Sequence, residues 1–188
     1  AKDPAGLVGY CRGFAFTNVD SVDVGVPGVG GHGPYPHTTK DPFVSASKIV
    51  TRLQALVIRE HDPQEPAVVT VGSFQAGSKH NIIPDEARLQ ITVRSYGDET
   101  RAHLLDGIAR IPRGEALAAG MPEDKLPRVT VSDPYTPATY NTPEFTETVM
   151  AGLKTRFEGR VFETPSVMGG EDFSQFYRAD RENVESLI

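Results

Sequence analysis

"ARLQITVRSY", residues 87–96, alternates cleanly between apolar and polar side chains. Ala87, Leu89, Ile91 and Val93 fall on one face of an extended chain, and Arg88, Gln90, Thr92 and Arg94 on the other. A two-residue period with one apolar face describes a strand that covers a core on one side and meets solvent on the other. Upstream, "SVDVGV" (21–26) puts Val22, Val24 and Val26 on one side of another half-buried strand. "AVVTVGSFQAG" (67–77) and "PRVTVSD" (127–133) read as two more.

Helical patterns fill the gaps. In "DPFVSASKIVTRLQALVIRE" (41–60), Asp41-Pro42 makes a cap and first turn, and Phe43, Ala46, Val50, Leu53 and Val57 form one apolar stripe. "DETRAHLLDGIARI" (98–111) opens with an acidic first turn and carries Leu104, Leu105, Ile108 and Ile111 on one face. Pro112 is expected to kink or break this helix, with residues 113–120 as a second piece. The order β-α-β-β-α-β predicts an α+β, ferredoxin-like sandwich: a four-stranded antiparallel sheet with both helices on one face. Its other face is open, and an open face with a free edge invites a partner. After "DPYTPATYNTP" (133–143) the pattern changes. A helix over 144–157 carries Phe145, Val149, Leu153 and Phe157, a short strand covers 161–167, and "MGGEDFSQFY" follows at 168–177.

At 188 residues the chain has room for one ordinary domain, or a small domain and part of another. A net charge of −6 argues against nucleic acid or an anionic membrane surface as partner, and no apolar run approaches membrane-spanning length. The single cysteine, Cys11, excludes an internal disulfide and a thiolate metal cluster and suits a reducing cytoplasm. The amino terminus "AKDPAGLVGY" has no signal-peptide core and no initiator methionine, and "RENVESLI" ends the chain on apolar residues without a turn or cap. Both ends read as the interior of a longer protein.

Five histidines raise the question of a metal. His32 and His37 lie five apart in the Gly- and Pro-rich turn "GVGGHGPYPHT" (28–38). His61, His80 and His103 are scattered and share no ligand spacing. On the residues alone His32 is a polar turn residue, and His37 fixes the turn or caps the helix at Asp41. Asn81 is a turn former, Arg94 a solvated sheet arginine like Arg88, and Glu171-Asp172 a carboxylate pair that either caps the next helix or meets a ligand.

Three stretches, "GVGGHGPYPHTTKDP" (28–42), "KHNIIPDEARLQITVRSY" (79–96) and "MGGEDFSQFY" (168–177), change the weighing. In this order and at these separations they resemble the zinc-dependent amidohydrolases and metallopeptidases related to aminoacylase, hippurate hydrolase and glutamate carboxypeptidase, in particular the bacterial N-acyl-amino-acid amidohydrolase branch. The resemblance implies a discontinuous catalytic domain with two divalent metal ions, expected to be zinc, interrupted by a ferredoxin-like lid that makes a homodimer. Residues 17–132 would be the lid; 1–16 and 133–188 would be strips of the catalytic domain. His32 would stabilise the oxyanion of the tetrahedral intermediate, usually from the partner subunit. Asn81 would contact the substrate, Arg94 would hold its carboxylate, and Glu171 has an equal claim to substrate contact or helix capping.

The family's metal ligands and its Glu-Glu base motif have no counterpart in the chain, so the metals are expected only in the full-length enzyme, and this piece alone is expected to be inactive. The implied activity is cytoplasmic hydrolysis of an N-acyl or peptide amide next to a free carboxylate, on a small-molecule substrate. The rival reading is a non-catalytic ferredoxin-like dimerisation or interaction module.

Overall fold

In chain order the computed structural model contains β1 (Val8–Tyr10), β2 (Gly13–Phe16), β3 (Asn18–Pro27), β4 (Gly31–His32), α1 (Pro42–Arg59), β5 (Ala67–Ala76), β6 (Ile82–Ile83) and β7 (Glu86–Ser95). Then come α2 (Asp98–Ala118), β8 (Arg128–Val131), β9 (Thr139–Asn141), α3 (Pro143–Arg156), β10 (Val161–Glu163) and α4 (Ser174–Ala179). It describes residues 4–181 and 184–188; the terminal readings above that fall on 1–3 and 182–183 lie outside the described residues. The chain divides into two compact units, one of Asp20–Arg94 with Asp98–Tyr135, the other of the residues up to Val19, Ser95–Gly97 and Thr136–Ile188.

The first unit holds a four-stranded sheet in the order β5-β7-β3-β8, with β8 antiparallel to β3 from Val22↔Val131 to Gly25↔Arg128. The alternation in β7 is realised residue by residue: Ala87, Leu89, Ile91 and Val93 are buried, while Arg88 and Gln90 are exposed. Val22, Val24 and Val26 of β3 join the same core, and α1 and α2 close it from one side. Across the open face Gln90 donates to the Asp23 carboxylate at 3.1 Å.

Both helices depart from their expected patterns. The buried seam of α1 is Ala46, Ile49, Leu53 and Leu56, with Val50 and Val57 packed at its edge. Phe43 is 40 % exposed and lies against Phe74 at 6.3 Å. Apolar residues sit at both 49–50 and 56–57, and the longer Ile49 and Leu56 take the centre. Helix α2 is not broken at Pro112; it runs as one element to Ala118. The lost N–H bond costs about 3 kcal/mol. Ile108 and Ile111 before the proline and Ala116 after it are all buried, and each large aliphatic side chain returns about 1.5–3 kcal/mol on burial. That burial keeps the helix going.

In the second unit β1 pairs parallel with β10 and β2 antiparallel with β9. The inward residues of α3 are Thr146 and Met150. Of the expected stripe, Phe145, Val149 and Leu153 are half-buried and Phe157 is exposed. No helix among the described residues is long and apolar enough to cross a membrane.

Candidate functional site

Two turns that are far apart in sequence face each other at one end of the β7 strand. Gly31 and His32 of β4 pair antiparallel with Ile83 and Ile82 of β6. Gly33 N donates to Asn81 O at 2.8 Å. Asp85 fastens the other side: its carbonyl accepts from Gly28 N at 2.7 Å and its carboxylate from Gly30 N at 2.9 Å. A Cβ at Gly30 would stand 2.7 Å from the carbonyl oxygen of Ile83, and one at Gly33 would stand 3.0 Å from that of Asn81. The turns come this close because both positions lack a side chain.

His32 and Asn81 are thereby brought together. Both are exposed. Asp41 and Pro42 start α1 as expected, with Asp41 Oδ1 accepting from Phe43 N at 2.8 Å. His37 therefore does not cap that helix; it lies on a short 3-10 turn, edge-on to Tyr35. The His32 ring lies 6.0 Å from that of Tyr35 and, like the Asn81 amide, makes no hydrogen bond among the described residues. The imidazole and the amide stand on two turns that are held together through their backbones, and each keeps its hydrogens free to donate.

Arg94 is not part of this pair. It lies eight positions beyond Glu86 on β7, which at about 3.3 Å per residue is roughly 26 Å along the strand. It follows buried Val93, so it points away from the helices. Its guanidinium has no hydrogen bond or ion pair among the described residues. A planar fork of five free donors is suited to a carboxylate.

Glu171 belongs to the other unit. Its backbone carbonyl accepts from the hydroxyls of Thr139 and Ser174, each at 3.2 Å. Helix α4 has no side-chain cap, so neither Glu171 nor Asp172 plays that role. The His61 and His103 rings stack at 6.2 Å, and His61 Nε2 lies 2.8 Å from Glu65 O. No group of three or more His, Cys, Asp or Glu among the described residues is placed to hold a metal ion. Cys11 is buried, and its thiol pKa is pushed up by burial and by the charge of Glu163, which makes it a poor nucleophile.

A family model described as the peptidase dimerisation domain of the M20 type matches residues 15–119. The chain belongs to that family. The matched stretch contains His32, Asn81 and Arg94. Among similar proteins, N-acetyldiaminopimelate deacetylase of Bacillus subtilis is 33% identical over 170 residues, covering 90% of this chain and 44% of its own length. Hippurate hydrolase of Campylobacter jejuni is 36% identical over 167 residues, covering 88% and 42%. The Bacillus subtilis YXEP protein, a dinuclear metal-binding peptidase from the M20 family, superposes with a TM-score of 0.72 at 24% identity, over 95% of this chain and 42% of that one. The chain spans less than half the length of the curated relatives it matches.

Sequence reasoning missed two residues at the start of this M20 domain. Asn18 and Asp20 are fully buried on the same side of β3 as Val22, Val24 and Val26. Asp20 accepts from Arg101 Nε at 3.0 Å and Nη2 at 2.6 Å, and the Arg101 guanidinium lies 3.5 Å from the centroid of the Tyr135 ring. Burial works against the charge on Arg101, but the hydrogen bond and charge of Asp20 outweigh it and raise the pKa. The signal was the alternation itself, which continues upstream through two polar residues.

Proposed function

We propose that the chain is the dimerisation half of a cytoplasmic amidohydrolase that cleaves the amide of N-acyl amino acids or short peptides beside a free carboxylate. On this reading the unit of Asp20–Arg94 with Asp98–Tyr135 corresponds to the lid, assigned from sequence to residues 17–132, and its β-α-β-β-α-β order with strands β5-β7-β3-β8 supports a ferredoxin-like topology. Residues 1–16 and 133–188 are then strips of the catalytic domain. The observation that carries the proposal is the backbone pairing of the turn that bears His32 with the turn that bears Asn81, with an uncommitted arginine at the far end of the same sheet. Relatives named for N-acetyl removal and for hippurate hydrolysis support an N-acyl substrate.

Arg94 binds the substrate carboxylate as a bidentate fork. His32 donates to the carbonyl oxygen as charge develops on it, an interaction that strengthens only towards the transition state. Asn81, beside it, holds the substrate, and Glu171 is a further substrate contact. The full enzyme is expected to hold two divalent metal ions, zinc by class, that supply the attacking oxygen. Among the described residues no group of three or more ligating side chains is placed to hold them, and this reading assigns their ligands to the remainder of the full-length enzyme.

With roughly 26 Å of strand between the His32 turn and Arg94, one small substrate cannot touch both within a single chain. A second copy resolves this. β5 is an edge strand of ten residues, AVVTVGSFQA, with no charge and no proline; such an edge is a template for another strand. The opposite edge, β8, has only four residues and begins with Arg128. The short connection 77–85 leads from the end of β5 to the start of β7, so Ala76 shares an end of the sheet with the His32 turn, and Ala67 shares the other with Arg94. Pairing β5 with β5 about a two-fold axis near Val71–Gly72 makes an antiparallel, self-complementary interface. The same operation brings one subunit's His32 and Asn81 to the end of the sheet that carries the other's Arg94.

Arg94→Ala in the full-length enzyme is expected to raise KM for N-acetyl and N-benzoyl amino acids about 10–100-fold with a small change in kcat, since a charged hydrogen-bonded partner is lost. Steady-state kinetics on these substrates and their carboxamide analogues checks this. Equal effects on both substrate types would remove Arg94 from the carboxylate site.

A further inference from the structure

We propose that Asn18 is a positioning residue for Arg94, an inference that rests on Arg94 as the carboxylate-binding group. The Arg94 side chain has no bonds of its own among the described residues, so its aim is set by the backbone that follows. β7 ends at Ser95 and α2 begins at Asp98, leaving Tyr96 and Gly97 as the whole connection. The Asn18 amide reaches all three residues after Arg94: Nδ2 lies 3.2 Å from Ser95 Oγ, 3.3 Å from Tyr96 O and 3.4 Å from Gly97 O. Its Oδ1 accepts from Ala138 N at 2.8 Å. Asn18 and Ser95 are both fully buried.

The chemistry selects this side chain. The site needs two amide hydrogens spread over three oxygens on one side and an acceptor for a backbone N–H on the other, and a primary amide supplies both. A carboxylate would face the two carbonyl oxygens without a hydrogen to give, and an aliphatic residue would leave buried Ser95 Oγ and Ala138 N without this partner. Two residues along β3, Asp20 holds Arg101 in the first turns of α2. One strand thus fixes the β7–α2 connection at both of its ends.

The test uses the full-length enzyme with Asn18→Ala and, as a milder change that leaves the amide in place, Ser95→Ala. Asn18→Ala is expected to raise KM for N-acyl amino acids roughly tenfold, the scale of one lost hydrogen bond. kcat should stay within about twofold, and KM for the carboxamide analogues should not move. In an Arg94→Ala background the same substitution should add almost nothing, because a residue that acts through another has no effect once the other is gone. Ser95→Ala should show the same selectivity at about two- to threefold, and it decides the question if Asn18→Ala does not yield folded protein. An Asn18→Ala effect that is equal on carboxylate and carboxamide substrates, or that adds in full to Arg94→Ala, overturns the proposal. So does an unchanged KM while Arg94→Ala raises it. If Arg94→Ala itself leaves KM unchanged, the carboxylate role of Arg94 falls and this inference falls with it.

Discussion

His32→Ala in the full-length enzyme is expected to lower kcat roughly 10²–10³-fold, the usual consequence of losing one donor to a developing oxyanion. KM should change little, because the donor meets the carbonyl oxygen chiefly when it carries charge. Metal content should be unaffected, since His32 belongs to no group of three or more ligating side chains among the described residues. Stopped-time assays on N-acetyl amino acids, with elemental analysis of the same preparations, check both parts. Loss of bound metal with the loss of activity would make the turn a ligand site and refute the oxyanion role.

The second large effect concerns the edge of the sheet. Thr70 and Gly72 lie near the middle of β5, both are exposed, and a Cβ at Gly72 would meet nothing within 4 Å. Thr70→Lys with Gly72→Lys therefore leaves the fold of one subunit intact while setting like charges against each other across the proposed two-fold axis. Charged residues are the ordinary means of blocking an edge strand. The doubly substituted enzyme should be monomeric by light scattering and should lose activity by at least the roughly 10²–10³-fold of His32→Ala, because the missing partner takes the oxyanion donor and Asn81 with it. An active monomer would show that each chain completes its own site.

How much of this could be read in the sequence depended on whether a period was present. Residues 87–96 carry an unbroken two-residue alternation, and β7 buries Ala87, Leu89, Ile91 and Val93 as that alternation requires. The α1 stripe was displaced because residues 49–50 and 56–57 offer two apolar candidates each, and only packing decides between them. The interruption expected at Pro112 did not occur because tertiary burial on both sides outweighs a local penalty. β4 and β6 have two residues each, too few for any period, so the meeting of the turns that carry His32 and Asn81 came only with the fold. Asn18 and Asp20 were hidden for a different reason: they are polar residues on an apolar face, and their partners Ser95, Tyr96, Gly97 and Arg101 lie about eighty positions away.

The central claim is that one substrate is held by Arg94 of one subunit and His32 of the other. Co-expressing differently tagged His32→Ala and Arg94→Ala full-length subunits and purifying the hybrid dimers tests it. In a hybrid, the trans arrangement leaves one site with both substitutions and the other with neither. Assayed well below KM, where each parent is strongly impaired, the hybrid should therefore recover about half the wild-type activity, and the unfractionated mixture about a quarter. If both residues served a site within their own chain, every site in the hybrid would carry one lesion. A hybrid no more active than its parents would contradict the account.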